Sequence, residues 1–286
     1  MFRFFIILLF FFQCKSSVKD YTKTPILFIH GHGLKAKHWD SFIKFFEESG
    51  HPSQYLYAID LKPKNGSNIL AAEEQIAPAV EEFIIKVNRE VVIKLDSTHI
   101  KNKIDIISHG MGALSARWYA AKIRPDRVRL WLSLAGTNHG TSEFCSYFGQ
   151  GSEDCCPPFA ESPEQSHIQY VLNGKPCMAD TDETPYGIGI DTPGTQTVNA
   201  IDHARIIYLT VRTFPNKWIK PEESAVLDGA GGIDFDLFEG LLLEETTLGN
   251  ILIKEKMGHM QLLYSAKVHY MVYDLIRQVD SLEVTP

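Results

Sequence analysis

Six short, nearly uninterrupted apolar runs constrain this chain more than any other feature: TPILFIHGHG, QYLYAIDL, KIDIIS, VRLWLSLAG, ARIIYLTVR and NILIKEKM. A strand with one wet face alternates apolar and polar side chains. These runs alternate little, so both of their faces must be covered. The intervals supply the covers. Trp39, Phe42, Ile43 and Phe46 recur at three- and four-residue spacing after the first run, and Ile76, Val80, Phe83, Ile84 and Val87 form an apolar stripe between about Ala71 and Val92. The segment GALSARWYAAKI follows the third run as a further helix. Strands alternating with helices predict an α/β fold with a mostly parallel central sheet and helices on both faces. With 286 residues, 44% of them apolar and 22% charged, the chain can bury one large core, and no second core is required.

The alternation breaks between about His139 and His203, a stretch rich in Pro, Gly, Ser and acidic residues. A connection this long inside a compact domain is uncommon and often serves as a lid, so residues 139–203 are expected to cap the end of the sheet. Four of the five cysteines, Cys145, Cys155, Cys156 and Cys177, lie there. They allow three pairings. A bond between the adjacent Cys155 and Cys156 would be strained, which predicts that each pairs with Cys145 or Cys177. A zinc cluster fits less well, because no Cys-x-x-Cys pair or neighbouring His-x-x-x-His is present.

At the N-terminus, Met1-Phe2-Arg3 leads into nine apolar residues, Phe4 to Phe12. One charge and a run of that length match a signal peptide, whereas a membrane span needs about 20 apolar residues. Residues 1–14 are therefore expected to be a signal peptide on an exported chain, with a single domain over 20–286. Cys14 ends the run and resembles the lipidated cysteine of a bacterial lipoprotein, although Gln13 stands where that signal has a small residue. Two forms are left open: a protein anchored through Cys14, and a freely secreted one.

The formal charge is −7, from 28 basic and 35 acidic residues, so there is no basic footprint for nucleic acid.

The stretch IDIISHGMGALSARWY, Ile104 to Tyr119, reads as strand, sharp turn and helix, the setting of a G-x-S-x-G nucleophile elbow. Its turn is Ser108-His109-Gly110-Met111-Gly112, with glycine where the attacking hydroxyl belongs. Together with PILFIHGHG and GHMQLLYS, this stretch resembles the nucleophile elbow, first-strand loop and histidine loop of the class 2 bacterial triacylglycerol lipases. Those are compact extracellular α/β-hydrolases. LYAIDL, AGTNHGT, DETPYG and PEESAVLDGA are similar to further segments of that family in the same order, and the resemblance runs from Pro25 to Val268.

The resemblance implies a fold, an activity and a site. In such an enzyme a serine attacks an ester carbonyl, a histidine takes its proton, a carboxylate orients the histidine, and two backbone N–H groups stabilise the oxyanion. Carried over, the nucleophile position is Gly110, the base position His259, the acid position Asn216 and the oxyanion hole the N–H groups of His32 and Met111. Two of the three catalytic side chains are altered. Asparagine can bond a histidine but lacks the charge that stabilises imidazolium, and it can favour the wrong tautomer. Glycine has nothing to attack with, and it relieves a backbone turn that strains other residues.

The expectation is a lipase-like protein whose ester hydrolysis is lost or greatly weakened and which keeps an acyl-chain or ester pocket, with a lipid or ester as its partner. One alternative is an active ester hydrolase with another nucleophile; a second is a non-catalytic envelope binding protein built on the same scaffold. Ser108 reads as a small residue under the elbow, Ser115 as facing away from the site, and His109 as structural. His30, His32 and His38 with Asp40 read as parts of a glycine-rich loop and its neighbourhood rather than a metal site. Trp39, Phe42, Phe45 and Phe46 read as helix core and pocket wall. No metal or organic cofactor is implied.

Overall fold

The computed structural model describes residues 18–173, 206–227, 236–247 and 249–282. The segment 1–14 with Cys14, the segment 174–203 of the expected cap with Cys177 and DETPYG, and the end of PEESAVLDGA lie outside the described residues.

The six apolar runs and one further segment form one seven-stranded sheet: β1 (Ile26–Ile29), β2 (Leu56–Ile59), β3 (Ile104–His109), β4 (Val128–Leu134), β5 (Ile207–Thr213), β6 (Leu243–Thr247) and β7 (Asn250–Ile253). Their spatial order is β2-β1-β3-β4-β5-β7-β6. The first five strands and β7 run parallel, with Phe28 opposite Ile107 and Leu132 opposite Leu209 marking the register of the centre. Every residue of β3 and β4 is buried, as their lack of alternation requires.

The period of two sorts side chains to two cores. Leu27, Ile29, Ile104, Ile106, Trp131 and Tyr208 face one side, where α3 (Ala77–Lys94) packs through Val80, Phe83, Ile84 and Val87, and α4 (Gly112–Trp118) through Leu114 and Trp118. Ile26, Phe28, Ile107, Leu132, Leu209 and Ile251 face the other side. There α1 (Asp40–Glu48) contributes Phe42 and Phe46, and the C-terminal helix Ala266–Leu282 contributes Val268, Met271, Val272, Leu275 and Ile276. Trp39, Phe42 and Phe46 are fully buried and Phe45 is partly buried. A buried ion pair ties the second face together: Asp105 on β3 accepts two bonds from Arg129 on β4, which also reaches Asp280 of the C-terminal helix at 2.6 Å.

Three findings depart from the sequence expectation. The apolar stripe of 71–92 belongs to a helix in pieces: α2 (Asn68–Leu70), a π-helical turn Ala71–Ile76, and α3. Pro78, in the first turn of α3, has no N–H to donate back along the helix, and the wider turn precedes it. The sheet gains an antiparallel edge strand, β6, from LEETT, whose glutamates suit an exposed edge rather than a buried run. Finally, Cys155 is a free buried thiol rather than a bonded one, while Cys156 bonds Cys145, one of its two expected partners, with Cα atoms 5.1 Å apart. Adjacent side chains point to different environments, and that of Cys155 enters the core beside Thr137, with Sγ 3.4 Å from its hydroxyl.

The described part of the 139–203 insertion crosses the ends of the strands. His139 N–H donates to Ser224, Ser142 N–H donates to Lys220, and Asp154 accepts from the backbone and side chain of Asn68 at the start of α2. One-turn elements, Ser142–Ser146 and Gln150–Asp154, lie between these ties, joined by the disulfide.

Candidate active site

Strand β3 ends in a turn that its glycines make possible. Gly110 has a φ of +54°, in the left-handed region where a side chain costs about 1–2 kcal/mol. Two residues on, a Cβ at Gly112 would stand 2.3 Å from the carbonyl oxygen of His30, so only glycine lets α4 begin this close to the loop after β1. Backbone bonds hold the turn: Gly110 N–H to Leu134, and Thr137 N–H to the Gly110 carbonyl.

His259 arrives from the other end of the chain, in a short turn His259–Leu263 after β7. A Cβ placed on Gly110 would lie 3.2 Å from its Nε2. Its ring packs on that of His109, with centroids 4.3 Å apart, and His109 Nε2 donates to the His259 carbonyl at 3.2 Å. That bond leaves His109 Nδ1 buried without a partner. Burial pushes His109 down to about 4. It also pushes His259 well below the ordinary imidazole value, and the neighbouring His109 adds to the effect, so both rings are neutral at neutral pH.

Behind His259 stands Asn216, in the loop that follows β5. Its Nδ2 lies 3.4 Å from His259 Nδ1 and 3.2 Å from the Thr213 hydroxyl. Its Oδ1 accepts from the backbone N–H of Trp218 at 2.9 Å and of Ile219 at 3.2 Å. Those two donors fix which end of the amide is oxygen, so its NH₂ faces the histidine. His259 Nδ1 must then accept, and the single ring proton sits on Nε2, toward Gly110.

The N–H groups of His32 and Met111 make no hydrogen bond to a described residue. The loop that carries His32 is anchored by His30, which donates from Nδ1 to the Gly31 carbonyl and accepts at Nε2 from Leu61 N–H. His38 instead bonds Lys35 within its own turn, Asp40 opens α1, and His32 lines the cleft with its Nε2 buried and unpartnered among the described residues. Among the described residues no group of three His, Cys, Asp or Glu side chains could hold a metal ion.

His32, His109, Gly110, Met111 and His259 form the floor of a cleft of about 610 Å³, counting its open mouth, walled by Leu34, Phe144, Tyr147, Trp218, Ile219 and Met260. None of its described lining residues is Asp or Glu. The aromatic wall is not apparent from local sequence pattern, because Phe144 and Tyr147 come from beside the disulfide and Trp218 from beside Asn216. Only their contacts in the fold, Tyr147 to Trp218 at 6.4 Å and Phe144 to the His32 ring at 5.0 Å, group them. The serines considered as substitutes lie elsewhere. Ser108 is fully buried and donates to the Leu132 carbonyl, while Ser115 donates to Asn68 on the far side of α4. Thr137 lines the cleft, but its hydroxyl faces Cys155.

Residues 23–157 match the family model for lipase (class 2). No curated protein matches the chain. Among solved structures it is similar to naproxen esterase (carboxylesterase NP) from Bacillus subtilis, at 14% identity and a TM-score of 0.48, covering 91% of this chain and 85% of that one. It is similar to the mature lipase BlEst2 of Bacillus licheniformis at 11% identity and a TM-score of 0.46, covering 91% and 94%. Against Aspergillus fumigatus lipase B the identity is 13% and the TM-score 0.46, and the match takes in 74% of this chain and 44% of that one, so the chain spans less than half of that lipase.

Proposed function

We propose that this chain, whose residues 23–157 match the family model for class 2 lipases, is an exported, lipase-like α/β-hydrolase that keeps an acyl-binding cleft and has lost most or all ester hydrolysis. The observation that carries this reading is the space between Gly110 and His259 Nε2, where a nucleophile belongs and no side chain stands. The altered partner at Asn216 supports it independently, since a ring that accepts at Nδ1 carries its proton on Nε2 and cannot take another there as a base. What remains is the cleft and two unbonded N–H groups. Such a remnant supports at most a residual rate on the order of 10³ to 10⁴ over water. The apolar walls favour a lipid or other ester with an acyl chain. The Cys145–Cys156 disulfide and the apolar leader ending at Cys14 favour export, and the insertion 139–203 serves as the cap.

The test is hydrolysis of short and long p-nitrophenyl esters by the parent, Gly110→Ser, and Gly110→Ser/Asn216→Asp. A silent parent and a double variant that turns over support the reading. Turnover by the parent that disappears in His259→Ala overturns it and points to a working hydrolase with another nucleophile.

A further inference from the structure

Resting on that reading of a cleft without a nucleophile, we infer that its ligand is a free carboxylic acid with an apolar tail, bound as the carboxylate by the N–H groups of His32 and Met111 and by Nε2–H of His259.

The two departures from a working triad act in the same direction. A serine at 110 would present oxygen lone pairs to the floor of the cleft, and a base with a bare Nε2 would present another. Both repel an anion, which is useful in an enzyme that must release an acid product. Gly110 removes the first acceptor. Asn216 removes the second, because its amide is locked by Trp218 and Ile219 with the NH₂ toward His259, which turns Nε2 into a donor. It also removes the negative charge that an aspartate would hold behind the ring. The floor thus changes from a place that expels a carboxylate to one that offers it three donors, and a carboxylate held by two or three N–H bonds is stable in its charged form. No carboxylate of the described lining opposes it. Leu34, Phe144, Tyr147, Trp218 and Met260 provide the apolar channel for the tail. An ester offers the same donors only a neutral carbonyl and a weakly accepting alkoxy oxygen, and hydrogen bonds to charged groups are the stronger kind.

The experiment compares decanoate with methyl decanoate by titration calorimetry at about pH 8, where the acid is ionised and His259 neutral. In the parent, decanoate should bind about ten-fold or more tighter than the ester. Asn216→Asp should weaken decanoate about ten-fold or more while leaving the ester within about three-fold, since it returns an acceptor and a charge to the floor. On the parent alone, carbon NMR of carboxyl-labelled decanoate should show the bound carboxyl titrating below the free acid. An ester that binds as tightly as the acid without being cleaved, or a bound carboxyl that titrates above the free one, overturns the carboxylate assignment and leaves the inactive cleft standing. Cleavage of the ester by the parent, or no binding of either compound, overturns the underlying reading and this inference with it.

Discussion

Asn216 donates to His259 rather than accepting from it: its Oδ1 is occupied by Trp218 and Ile219 N–H, and its Nδ2 stands 3.4 Å from His259 Nδ1. The expected consequence is a neutral His259 with its proton on Nε2, read directly from nitrogen shifts of the labelled ring. In Asn216→Asp the carboxylate accepts from Nδ1–H, the proton moves to Nδ1, and the imidazole pKa rises from its depressed value, because an adjacent negative charge favours the protonated ring. An unchanged tautomer in that variant would show that the loop does not set the proton.

Gly110→Ala should lower stability by about 1–2 kcal/mol, the cost of a side chain in the left-handed region. The new Cβ would also press His259 Nε2 from 3.2 Å, so the ring must give by a few tenths of an ångström. Gly110→Ser carries the same cost while restoring a hydroxyl. Denaturant titration of the three proteins checks this; equal midpoints would mean that the turn relaxes without strain.

Much of this was legible in the chain because the fold and the site depend on local patterns. Runs such as VRLWLSLAG read as buried strands, and the motifs bearing Gly110 and His259 come from distant points of the sequence to line one cleft, with Asn216 behind the His259 ring. Other features have no local signature. LEETT becomes β6 because an edge lies open beside β7, which the segment itself does not announce. The helix Ala266–Leu282 has a helical apolar stripe, but it gains meaning only as the cover of the face opposite α3 and α4. The choice of Cys156 over Cys155 turns on which side chain points into the core, a property of the turn geometry rather than of spacing. The aromatic wall joins residues more than 70 positions apart, Phe144 and Trp218, and no spacing rule links them.

Acid should destabilise the chain well above the range where carboxylates titrate. Burial holds His109 down to about 4 and, together with the nearby Lys23 charge, His51 down to about 3, while the unfolded chain binds those protons near 6.5. The unfolded state therefore carries more protons, and the stability present above about pH 6.5 is lost as the pH falls toward these folded values. Each histidine contributes a slope of up to about 1.4 kcal/mol per pH unit in that window. Thermal melts between about pH 7 and pH 5 should show a falling Tm, and His51→Gln should flatten the fall relative to its own neutral-pH value. A Tm constant over that interval would mean that these rings take up protons in the folded state.

The disulfide holds the cleft wall rather than the core. Cys145 lies between Phe144 and Tyr147 of the cleft wall, and its bond to Cys156, at a sequence separation of 11, closes a short loop that contains Tyr147. Closing a loop of that size contributes about 2–4 kcal/mol in the chain-entropy account. Cys156→Ser should therefore lower global stability by up to that amount, and it should weaken ligands of the cleft and expose Tyr147 to proteolysis before the sheet unfolds. Cys155 does not substitute for Cys156. Its thiol is fully buried beside Thr137, and burial raises its pKa, so it has little thiolate with which to attack. Alkylation of the native protein followed by peptide mass spectrometry should leave Cys155 unmodified, and in Cys156→Ser should label Cys145 alone of this pair. A Cys145–Cys155 bond in that variant would mean that the segment can turn over without opening the core, contrary to the packing around Thr137.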